Sequence, residues 1–79
     1  MRNDRRFESR REVLRRLGEN VRARRRERGL TQEDLAELLD ISVAYVSLIQ
    51  RGGRNPPVTT VCAIARALDV SPRELVDPS

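Results

Sequence analysis

The 79-residue chain has no histidine, one cysteine (Cys62) and one tyrosine (Tyr45), so the groups that most often move protons or form covalent intermediates at neutral pH are nearly absent. No base–nucleophile pair can be drawn from what remains. No Cys/His set has metal-ligand spacing, and Gly52-Gly53 reads as a turn rather than a phosphate-cradling loop. No catalytic residue, metal site, cofactor or small-molecule substrate is therefore expected. Cys62 falls in the apolar pattern of a predicted helix and is expected to be a buried core thiol.

Charge is the chemistry this sequence does hold. Every one of its 16 basic residues is arginine. Residues 1–28 carry 12 Arg against 5 acids, a net of +7, whereas residues 29–50 carry 4 acids and no base, and residues 51–79 carry 4 Arg against 3 acids. With a pI near 10.9, such polarity is the electrostatic footprint of a nucleic-acid binder. The N-terminus is charged throughout and no apolar run is long enough to span a membrane, so a cytoplasmic protein is expected.

The elements that must position these groups are helical. A chain this short is one small domain that buries only about 60–65% of its unfolded surface, which makes dimerisation plausible. It is 38% hydrophobic with almost no aromatics, which fits a Leu/Ile/Val/Ala all-α core. Residues 32–51 read as two short amphipathic helices joined by a tight turn. Leu35, Ala36, Leu38 and Leu39 mark the first apolar face, and Ile41, Val46 and Ile49 mark the second. Asp40 suits a left-handed turn position, Ser42 caps the second helix, and small Ala36 permits a close crossing.

Ahead of this pair, Val13, Leu14, Leu17 and Val21 form a helical stripe with Glu12 and Arg16 a turn apart. Gly18 interrupts it. Either one helix runs through or a leader helix ends there; a break, with the domain's first helix starting near Glu19, is preferred because interior glycine costs about 1 kcal/mol. Gly29 terminates that helix, and Thr31 with Asp34 resembles a capping box. After the turn-rich GGRNPP at 52–57, the face Val58, Val61, Cys62, Ala65, Leu68, with Ile64 beside it, predicts a fourth helix. Ser71, Pro72 and Glu74 start a fifth.

The stretches G-L-T-Q-E-D-L-A at 29–36 and Y-V-S-L-I-Q-R-G-G-R-N-P at 45–56 resemble the Xre family of helix-turn-helix regulators, which includes lambda-type phage repressors, Cro proteins and restriction–modification controller proteins. The resemblance covers residues 18–76. It implies a five-helix lambda repressor-like domain there, preceded by an arginine-rich arm or leader helix at 1–17 and followed by a tail at 77–79. The second helix of the pair would enter the DNA major groove while the first crosses the backbone. Gln32 would anchor the first helix on DNA, with its cap Thr31 on the same face. Ser42, Val43, Ala44, Ser47 and Leu48 would face bases, and Tyr45, Arg54 and Asn55 would hold phosphates. Arg25 would lie near both phosphate and the recognition helix.

Two departures from the family pattern stand out. Gln50 replaces the glutamate that usually pairs with the arginine matched by Arg25, which leaves Arg25 less firmly held or freer to bind phosphate. Val43, Ala44 and Leu48 offer no hydrogen bond to a base edge, so specificity would lean on Ser42, Ser47, Gln32 and DNA shape. Pro57 stands where relatives often have a Ser or Thr cap.

The function so implied is a homodimeric, sequence-specific regulator of transcription on a pseudo-palindromic double-stranded operator, its size favouring a restriction–modification controller. Val70, Leu75 and Val76 would form the dimer interface. The alternatives are a protein-interaction module on the same fold, or an antitoxin-type repressor that also binds a partner protein.

Overall fold

The computed structural model describes residues 8–78, and these form five helices: α1 (Arg10–Glu27), α2 (Gln32–Leu39), α3 (Val43–Gln50), α4 (Val58–Leu68) and α5 (Pro72–Val76). Residues 1–7 of the expected arm and Ser79 of the tail lie outside the described residues. Leu17 and Val21 of α1 meet Leu35 and Ala36 of α2, Val46 and Ile49 of α3, Ile64, Ala65 and Leu68 of α4, and Leu75 of α5 in one core. Ala36 is buried, as a close α2–α3 crossing requires. No described residue buries a charged or polar side chain in this core.

Sequence-local chemistry fixes the helix starts. Ser9 accepts the Glu12 N–H at 3.1 Å while Glu12 accepts the Ser9 N–H at 3.2 Å, a reciprocal cap. Thr31 and Asp34 repeat the device at 2.9 Å in both directions. Ser42 Oγ accepts the Tyr45 N–H at 3.0 Å, and the Ser71 N–H donates to Glu74 at 2.9 Å. The cap position of α4 is Pro57, which offers no side-chain hydrogen bond.

The first four helices end alike. Gly29, Asp40, Gly52 and Asp69 all adopt positive φ, of 70°, 57°, 75° and 59°. In each case the next residue's N–H reaches back to the carbonyl five positions earlier: Leu30 to Arg25, Ile41 to Ala36, Gly53 to Leu48 and Val70 to Ala65. These are Schellman ends. Leu30, Ile41 and Val70 then fold onto the core, so the turn that stops a helix also adds an apolar contact.

Four expectations are corrected. First, α1 runs uninterrupted through Gly18. The glycine is there because α1 and α3 cross backbone to backbone: a Cβ at Gly18 would sit 2.5 Å from the carbonyl oxygens of both Ile49 and Gln50. Second, Glu12 turns back to cap Ser9, and Arg16 pairs instead with Glu8 through two hydrogen bonds. Third, Cys62 is exposed, as is Val58 at 74%, because α4 buries the narrower stripe Val61, Ile64, Ala65, Leu68. Leu38 is likewise 60% exposed on α2. Fourth, Leu75 is fully buried in its own chain and is no surface for a partner. Asn20 Nδ2 donates to the Leu75 and Asp77 carbonyls at 2.9 and 3.2 Å, and Arg16 Nε to the Val76 carbonyl at 2.8 Å, so α1 clamps α5 with its one inward leucine against the core. Val70 packs partly on the same core, which leaves Val76 as the exposed member of the expected interface.

Candidate nucleic-acid interface

Residues from three helices converge on one polar cleft. Arg22, Arg25 and Arg26 reach it from α1, Gln32 from the first position of α2, and Ser47 and Gln50 from α3, with Arg51 at the α3 C-cap. The spacing 22, 25, 26 puts the three α1 arginines on one helical face. The stretch of α1 beside them meets α3 at Gly18, which brings that face alongside α3.

Arg25 is the fixed point of the cleft. Its Nε donates to Gln50 Oε1 at 2.8 Å and its Nη1 to the Leu30 carbonyl at 2.6 Å. Gln50 thus takes the acceptor's part that the resemblance assigns to an acid, and Arg25 is held rather than loose. Burial, and then the neighbouring charges of Arg26 and Arg22, push the Arg25 guanidinium below its ordinary value; Glu33 pulls the other way. Arginine stays charged under such pressure. With a neutral partner in Gln50, its positive charge remains available to an anion. Gln50 in turn donates from Nε2 to Gln32 Oε1 at 2.6 Å, which joins α1, α3 and α2 in one chain of hydrogen bonds.

The other expected contact residues occupy different surroundings. Thr31 is exposed and its hydroxyl accepts the Asp34 N–H. Ser42, Val43 and Ala44 are exposed together at the start of α3, while Ser42 Oγ accepts the Tyr45 N–H and keeps its own proton to donate. Tyr45 rests half-buried on the core. Leu48 is half-buried too; Gly53 lies so close that an added Cβ there would be 3.4 Å from Leu48 Cδ2. Of the three apolar residues expected to face bases, Val43 and Ala44 are thus exposed and Leu48 is half-buried. Arg54 and Asn55 are exposed in the α3–α4 connection. Sequence reasoning did not single out Arg22, Arg26 or Arg51 as site residues, although the 22/25/26 spacing was the signal for two of them.

The helix-turn-helix family HTH_3 matches residues 21–75, from α1 to the end of α5. The chain is 46% identical over 63 residues to an HTH-type transcriptional regulator, y4dJ, of Sinorhizobium fredii, covering 80% of this chain and 82% of the relative. Among solved structures it resembles the restriction–modification controller protein C.AhdI from Aeromonas hydrophila, with TM-score 0.75 and 40% identity over 78% of this chain and 94% of that one. It also resembles the biofilm regulator SinR solved in complex with DNA, with TM-score 0.73 and 31% identity over 77% and 98% of the two chains. The chain belongs to the helix-turn-helix family, and so to the DNA-binding regulators of transcription rather than to the enzymes. No described helix is long and apolar enough to cross a membrane.

Proposed function

We propose that the chain acts in the cytoplasm as a homodimer on a pseudo-palindromic duplex operator, with α3 of each protomer in the major groove and half-sites about 34 Å apart. The observation that carries this reading is the convergence of Arg22, Arg25, Arg26 and Arg51 with Gln32 and Ser47 beside the exposed start of α3. The guanidinium groups fix register on the phosphates, while Ser42, Val43, Ala44 and Ser47 meet base edges. Two serine hydroxyls and thymine-methyl contacts give less discrimination per contact than the roughly 1–3 kcal/mol of a good bidentate pair, so DNA shape carries part of the specificity. The likeness to C.AhdI supports a controller-type role, which the neighbouring gene would decide.

Fluorescence anisotropy across salt tests the reading, with the chain's own upstream DNA set against scrambled duplex. Affinity should fall steeply with salt, by a slope of about 0.9 per phosphate neutralised, while the preference for one site persists. Arg51→Ala should weaken binding to all duplexes alike and lower the slope by about 1. Equal affinity for every duplex, or a monomer on the DNA by sedimentation, would sink the proposal.

A further inference from the structure

The hydrogen-bond chain through Gln50 has a direction. Arginine carries donors only, so the Gln50 carboxamide must turn its oxygen to Arg25, as the 2.8 Å contact has it. Its nitrogen is then forced to the other side, where it donates to Gln32 Oε1 at 2.6 Å. That commits the oxygen of Gln32 to the protein and leaves its NH2 group for whatever enters the cleft. The cap at Thr31 takes up the Asp34 N–H, and the backbone N–H groups of Gln32 and Glu33, at the same end of α2, have no partner within the helix. Every one of these groups is a donor.

We infer that Gln50 is a positioning residue that sets the polarity of the DNA face: relayed from Arg25, it makes the first residue of α2 display a hydrogen-bond donor, and so selects a backbone phosphate oxygen of the duplex. The inference rests on the DNA reading above. A glutamate at position 50 would still accept from Arg25 but could not donate, so the Gln32 carboxamide would invert, donate to it and show its oxygen to the phosphate. Such an inversion weakens DNA binding without weakening the fold, because the link among the three helices persists with its polarity reversed.

The test compares the wild type with Gln50→Glu, Gln32→Ala and the double variant, by side-chain amide NMR of the free proteins, by urea denaturation and by anisotropy on duplex DNA. In Gln50→Glu the Gln32 NH2 resonances should move and become protected from exchange, the urea midpoint should hold or rise, and duplex affinity should fall about tenfold, or about 1.4 kcal/mol. In the Gln32→Ala background the same substitution should lose clearly less, only what its added charge takes away. The loss should be alike on A·T-only and mixed duplexes, as a phosphate contact requires. Unmoved Gln32 resonances, or an equal loss in both backgrounds, would overturn the inference, and a loss confined to guanine-containing duplexes would overturn the phosphate assignment. If the wild type bound no duplex the DNA reading would fail, while the orientation of the amide would still be decided in the free protein.

Discussion

Gly18 shows how one residue type can be dictated by a neighbour 31 positions away. Alanine there would gain about 1 kcal/mol of helix propensity, yet its methyl would lie 2.5 Å from two carbonyl oxygens of α3, atoms of backbone that cannot swing aside. Gly18→Ala is therefore expected to destabilise by about 1–3 kcal/mol net. Urea denaturation would show it, and a variant as stable as the wild type would mean that the helices do not cross this closely. Titration also acts at this scale. The Thr31 N–H, with its hydroxyl, holds Asp34 below the ordinary carboxylate range; the Ser71 N–H does so for Glu74 and the Arg16 hydrogen bond for Glu8. A group depressed on folding adds stability above its unfolded pKa and loses it as pH falls through the folded one. Stability should thus be flat from neutral pH down to about 5 and decline below about 4, with a shallower decline in Asp34→Asn. Unfolding curves at stepped pH would check this.

At the scale of the element, α1, α2, α3 and α5 begin with serine or threonine, and the first four helices stop at a left-handed residue. Two of the four left-handed positions are aspartates, Asp40 and Asp69, in the parallel settings L-D-I-S and L-D-V-S. Aspartate tolerates that backbone less well than glycine does. Asp69→Gly should raise stability by about 0.5–1 kcal/mol and Asp69→Val should lower it by about 1–2 kcal/mol. Thermal melts would measure both, and a valine variant as stable as glycine would contradict the assigned conformation. The 3.4 Å contact of Asp69 with Arg28 is exposed and contributes little to this balance.

For the whole molecule, the amino-terminal half of α1 is part of the packed structure. Leu17 is in the core, Leu14 packs against it, and Arg16 and Asn20 hold α5 by its carbonyls. A chain lacking residues 1–17 should lose cooperative folding at 25 °C, because it gives up a buried leucine at about 2–5 kcal/mol, a second partly buried one and the grip of Arg16 on α5. Circular dichroism would decide it; a cooperative melt close to that of the full chain would show the first 17 residues to be an appendage. The same packing argues that any partner of the apolar surface meets Val76 or the exposed side of α4, and not Leu75.

What the sequence determined by itself was whatever depends on neighbours within one or two turns. The caps at Thr31, Ser42 and Ser71, the left-handed turn at Asp40 and the glycine stop at Gly29 follow from local hydrogen bonding and backbone sterics, and with them the five helices and the family. The apolar periodicity found α2, α3 and α4 and the stripe of α1, though not its continuity through Gly18, and it overstated the faces of α2 and α4, since spacing alone does not say how wide a stripe its neighbours cover; hence Leu38, Val58 and Cys62 lie outside the core. Only the tertiary structure decided the rest. Gly18 is intelligible once α3 is laid across it, Leu75 once α1 clamps α5, and Gln50 once Arg25 and Gln32 flank its amide. Each depends on a contact 18 to 55 residues away along the chain, where periodicity carries no information and close packing and the donor–acceptor count govern.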